Sequence, residues 1–79
     1  MSFPEKIGFT YNDLLDEWEK PLVEGKLLIW ENLSSRGWTL SYEDKDEYVH
    51  KLRTGNEYQI ESGMKSFYRD LRLTEILGK

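Results

Sequence analysis

The chain contains no cysteine, only two prolines, a single histidine and no apolar run longer than the four residues Leu27 to Trp30. Each shortage removes a class of protein. Without cysteine there is neither a disulfide framework nor a thiolate zinc site, which fits a reducing compartment such as the cytoplasm. A bilayer-spanning helix needs about 20 apolar residues, and the N-terminal stretch MSFPEKIGF lacks the apolar segment of a secretory signal, so no membrane role is expected. Basic charge is in the minority as well: 11 Lys and Arg against 15 Asp and Glu leave a net charge of −4. Nonspecific nucleic-acid binding draws most of its affinity from attraction to phosphate, and an acidic chain is poorly suited to it.

Aromatic side chains, by contrast, are plentiful: three Trp, five Tyr and three Phe make up 14% of the 79 residues. A chain of this length forms one domain, residues 1–79, and buries only about 60% of its unfolded surface. Each buried ring removes roughly 150–250 Å² from water, which offsets much of the ordering entropy of so short a polypeptide.

The segment from Trp38 to Ser62 alternates apolar with polar residues and reads as an antiparallel β-meander. Trp38, Leu40 and Tyr42 share one face of the first run and Tyr58 and Ile60 one face of the last, with Thr54-Gly55-Asn56 as the turn between two strands. Before the meander, a helix is predicted from Thr10 to about Lys20. Thr10 is the cap, Asp13 meets the positive end of the dipole, Phe9 and Leu14 have staple spacing, and Leu14, Leu15, Trp18 and Leu22 form the apolar stripe. Residues 22–36 admit two readings. Leu22, Val23, Leu27, Trp30 and Leu33 fit a helical stripe ending at Gly37, whereas Leu27 to Leu33 alternates as a strand and Ser34-Ser35-Arg36-Gly37 then turns into Trp38. At the C-terminus, Met64, Phe67, Tyr68, Leu71, Ile76 and Leu77 predict a helix with Ser62 as N-cap and Gly78 as its end signal. The fold class is therefore α+β: an N-terminal helix, a three- or four-stranded antiparallel meander, and a C-terminal helix packed on the sheet. Trp18, Leu40, Tyr58, Ile60, Phe67 and Leu71 are the expected core.

No constellation of catalytic or metal-binding residues emerges. His50 has no Asp, Glu or Cys at ligand spacing and reads as a structural histidine between Tyr48 and Leu52. Glu43-Asp44-Lys45-Asp46-Glu47 resembles a cation loop, but the EF-hand pattern counted from Asp44 places Val49 and Gly55 where glycine and glutamate are required. Gly63-Met64-Lys65-Ser66 lacks the glycine spacing of a phosphate loop, and Asn32-Leu33-Ser34 matches a glycosylation sequon only formally. Ser34, Ser35, Ser41, Ser62 and Ser66 have no His/Asp pairing at recognisable spacing. A non-enzymatic role without cofactor or metal is expected.

Charge asymmetry supplies the candidate surfaces. Residues 1–26 and 27–63 each carry −3, from three basic against six acidic and four against seven, while residues 64–79 carry +2 from four against two. Glu43, Asp44, Asp46 and Glu47, joined by Glu57 and Glu61 from the outward face of the last strand, form an acidic partner-binding surface that attracts a basic protein and steers its approach. Lys65, Arg69 and Arg72 form an alternative basic stripe on the C-terminal helix, where Lys65 and Arg69 oppose the dipole near its start. As a whole the short, cysteine-free, acidic, aromatic-rich chain is similar in character to small phage-encoded inhibitors of host nucleic-acid machinery, a resemblance of composition and not of motif. It implies an inhibitor or accessory protein, as phages and mobile elements encode, acting on a nucleic-acid-handling protein with a basic surface. The alternatives are a nucleic-acid binder using Lys51, Arg53, Lys65, Arg69 and Arg72, and a structural subunit that self-associates through an exposed aromatic strand.

Overall fold

The computed structural model describes residues 2–34 and 36–77, with side chains to residue 71. The elements in chain order are α1 (Phe3–Lys6), β1 (Thr10–Asn12), β2 (Glu17–Pro21), β3 (Lys26–Glu31), β4 (Trp38–Glu43), β5 (Val49–Gly55) and α2 (Glu57–Leu77). All five strands pair antiparallel in sequence order, so the sheet is a simple meander joined by short turns. The α+β class and the C-terminal helix on the sheet stand as expected.

β3 and β4 follow the alternation read from the sequence, with Leu27, Ile29, Leu40 and Tyr42 on one face through the pairs Leu27–Tyr42 and Ile29–Leu40. That face carries the core. Leu27, Ile29 and Leu40 are buried together with Ile60 and Met64 of α2 and with Phe3 and Phe9 from the N-terminal segment, while Trp18, Trp38, Leu52 and Phe67 pack around them. The ring of Phe3 lies 5.3 Å from that of Trp38, and Tyr42 sits 5.2 Å from Phe67. Two glycines permit close approaches. Gly25, at φ +79, turns β2 into β3 where a Cβ would collide with the Glu43 carbonyl, and Gly63 lets α2 lie close to Arg53 and Leu40.

Three expectations are corrected. The helix predicted from Thr10 to Lys20 is the β1–β2 hairpin. Asn12 Oδ1 accepts the backbone N–H groups of Leu14 (3.0 Å) and Leu15 (3.3 Å), and Asp16 takes positive φ, closing a turn. Tyr11 packs edge-on against Trp18 across the pair and donates to Asp16. Phe9 is buried, but its supposed staple partner Leu14 is 95% exposed, so the apolar spacing that suggested a helix is a turn tip. Second, the run from Glu57 is not a strand. Asn56 and Gln59 cap each other's backbone, with Gln59 N–H donating to Asn56 Oδ1 and Asn56 N–H to Gln59 Oε1, both at 2.9 Å. This reciprocal cap starts α2 at Glu57, two residues after Gly55, so Thr54-Gly55-Asn56 joins a strand to a helix, and Ser62 lies inside α2 instead of capping it. Tyr58 is consequently 79% exposed and leaves the core. Third, the sheet has five strands, because the hairpin adds two and β3 settles the double reading of residues 22–36 as strand. Gly78 lies outside the described residues.

Ile60→Ala should cost about 2–5 kcal/mol, since it empties the fully buried contact between α2 and the sheet. Gly25→Ala should also destabilise, whereas Tyr58→Ala should be nearly silent. Chemical denaturation of the three variants checks the ranking, and an unfolded Tyr58→Ala protein would contradict the helical assignment.

Candidate functional site on the open sheet face

α1 and α2 cover one face of the sheet. On the opposite face the strand register builds a lattice of side chains. One row runs Glu19, Leu28, Ser41 and Lys51, and the next runs Pro21, Lys26, Glu43 and Val49. One step beyond the Trp18–Ile29 pair, Glu17 stands beside Trp30, which continues the third row through Thr39 and Thr54. Among the described residues no helix packs on this side.

Lys26 is the hub of the face. Its ammonium lies 2.8 Å from Glu19, 3.2 Å from Glu17 and 3.9 Å from Glu43, all four side chains being between one-fifth and three-tenths exposed. Leu28 is buried on this side although no helix covers it, and its neighbours in the lattice are Glu19, Ser41 and, along β3, Lys26 and Trp30. The short bond from Lys26 holds the Glu19 carboxyl below its usual range, assisted by Asn12, which donates to Glu19 Oε1 at 3.3 Å. Glu19, followed by Glu17, raises the Lys26 ammonium in return. Three carboxylates against one ammonium leave the cluster with two negative charges.

Beyond the cluster, Trp30 is 41% exposed and borders a shallow depression that it shares with Glu31, Asn32, Thr39, Lys51 and Thr54. The floor is ordered: Thr39 Oγ1 lies 2.7 Å from Asn32 Oδ1 and 3.4 Å from Thr54 Oγ1. Ser41, one row away, is fully buried and its hydroxyl has no partner among the described residues.

The structure divides the sequence-predicted acidic surface. Glu43 belongs to the Lys26 cluster at the end of β4. Asp44 is a loop-closing residue: its Oδ1 accepts the backbone N–H groups of Asp46 (2.9 Å) and Tyr48 (3.0 Å), and Oδ2 is 2.9 Å from His50 Nε2. The His50 bond, more than the two backbone bonds, depresses the Asp44 carboxyl. Asp46 and Glu47 stay exposed on the turn. Glu57 and Glu61 are not on a strand beside them but on the first turns of α2, separated from the loop by the length of β5, about 20 Å for a strand of seven residues. Glu57 instead favours the helix dipole. Lys65 and Arg69 are exposed on α2, and because that helix starts at Glu57 they lie beyond its first turn and do not oppose its start. The side chain of Arg72 lies outside the described residues. Glu17 and Glu19 were missed as site residues. Their alternation about Trp18 was the available signal.

Comparisons of the chain with protein-family models, with curated proteins and with solved structures find no match. Among the described residues no helix is long and apolar enough to cross a membrane, and no group of three or more acidic or histidine side chains is arranged to hold a metal ion.

The cluster makes a pH prediction with a defined sign. Glu19 and Asp44 are depressed in the folded state, so their contributions are present above the unfolded carboxyl values and lost as pH falls through the folded ones. Stability of the parent should decline on acidification. Lys26→Met leaves three carboxylates facing one another, costing about 1 kcal/mol at neutral pH, and mutual repulsion raises their pKa values. Asp44 contributes equally to both proteins, so the stability difference between parent and variant should narrow as pH falls into the carboxylate range, and thermal melts across that range read the narrowing.

Proposed function

We propose that this protein is a non-enzymatic binding module that docks an acidic face of its sheet onto a basic surface of a partner protein. The observation that carries the reading is the convergence of Glu17, Glu19 and Glu43 on a single lysine, on the side of the sheet that no helix covers. The exposed Asp46 and Glu47 extend that field past the end of β4. Fixed like charges of this kind raise association rates and reject acidic partners. The likeness of composition to phage-encoded inhibitors supports a partner that handles nucleic acid, since such proteins present basic surfaces shaped for phosphate.

The test is a partner recovered by pulldown from the native host, then titrated at two salt concentrations. Glu17→Gln with Glu43→Gln should slow association severalfold and flatten its salt dependence, with the melting temperature nearly retained. Lys65→Gln with Arg69→Gln should leave that association unchanged. Tight binding of a bare oligonucleotide that vanishes in the Lys65/Arg69 variant would establish the nucleic-acid alternative instead.

A further inference from the structure

From the open face we infer a more specific recognition chemistry: Trp30 and the carboxylates beside it form a seat for an arginine side chain of the partner protein. The inference rests on the acidic-face reading and adds the residue type that the face selects. Trp30 presents its indole on a sheet position in the central strand, two-fifths exposed, where packing alone would favour a smaller or more deeply covered side chain. Its neighbours divide by charge. Extending the register one step past the Trp18–Ile29 pair puts Glu17 beside it on the β2 side, while Glu31, paired with Trp38, belongs to the opposite face. Lys51 stands on the β5 side, two strands away. An incoming cation is therefore drawn to the β2 side of the indole and repelled from the other.

Guanidinium suits this position better than ammonium does. It is planar and weakly hydrated, stacks on an indole face, and still directs its edge N–H groups to a carboxylate. The Lys26 cluster supplies the second element. Its three carboxylates share one cation, so Glu17, which is not the closest of them to Lys26, can accept an arginine without leaving that lysine unpaired. The occupant is thus an arginine-bearing protein segment laid across β2 and β3, with charge complementarity as the ground for the choice.

Fluorescein-labelled hexa-arginine and hexa-lysine, titrated by anisotropy at moderate salt, test the seat. The parent should prefer the arginine peptide by about two- to fivefold, the worth of an exposed cation–aromatic contact. Trp30→Leu should remove the preference while leaving hexa-lysine affinity intact, and Trp30→Phe should keep part of it, with circular dichroism confirming the fold of each. Equal affinity of the parent for the two peptides, with both weakened by Glu17→Gln and Glu43→Gln, would overturn the arginine seat and leave the acidic-face reading standing. Peptide binding indifferent to those neutralisations would remove both. Trp30-dependent binding of oligothymidylate in preference to either peptide would also overturn the proposal, by assigning the indole to a nucleobase.

Discussion

A central strand buried on both sides sets the terms for this fold. Leu27, Leu28 and Ile29 are consecutive and all are buried, yet consecutive strand residues point to opposite faces. A two-layer domain can cover only one of those faces with a helix. α2 and the N-terminal segment close over Leu27 and Ile29. Leu28 has no such cover and lies among the side chains of its own sheet, with Glu19 and Ser41 across the strands and Lys26 and Trp30 along β3. The ion cluster shares that face: Glu19 and Lys26 are neighbours of Leu28 and are joined by the shortest of its ion pairs. Removing Lys26 breaks three ion pairs at once, whereas neutralising Glu17 and Glu43 leaves the lysine its shortest one, to Glu19.

How far the sequence discloses this arrangement depends on which interactions decide each segment. β4 and α2 beyond Ser62 owe their form to apolar periodicity and are legible in kind, whereas β3 also admits a helix and the start of α2 reads as a strand; Leu40 and Ile60 are fully buried, Ile60 from a helix, and Phe67 packs against the core. Thr10 to Lys20 is decided differently. A cap-like threonine and the spacing of Leu14, Leu15 and Trp18 are local helix signals, but β2 gains a full ladder with β3, and Asn12 offers a turn that the local count cannot weigh against it. The 54–59 segment carried two competing local signals. Thr-Gly-Asn suits a hairpin and Asn-x-x-Gln suits a helix start; Ile60 packing with Met64 in the core settles the matter for the helix. The site shares this fate. Glu43 and Asp44 stood out as a charge run, while Glu17 and Glu19 acquire meaning only once β2 lies beside β3.

The two edges of the sheet bear on self-association. β1 is three residues long, which leaves little template for a further strand. β5 is longer, but it carries Lys51 and Arg53 along its length, and the ladder slips between Leu40 and Ser41, bending the edge. Short length, charge and a bulge are the devices by which sheets discourage edge pairing. The exposed aromatic most suited to contact, Trp30, lies on the face of a central strand and not on an edge. Association through it would be face-on, and two copies meeting that way would bring like carboxylate clusters together.

Stability and recognition meet in Lys26. A lysine shared by three carboxylates neutralises one charge and leaves the rest of the field directed outward from the uncovered face. Had the domain used an apolar side chain at this position, the carboxylates would lose their organising cation and repel one another. Had it used three lysines, the face would be neutral and mute. One cation for three anions fixes the carboxylates on a rigid sheet while preserving their excess charge, and a partner's guanidinium can then complete what the domain leaves unbalanced. Preorganised charge of this kind limits the side-chain ordering that binding would otherwise require. In the proposed binding role, the charge left over in the cluster is what a cationic partner meets, held on the sheet by the ion pairs of Lys26.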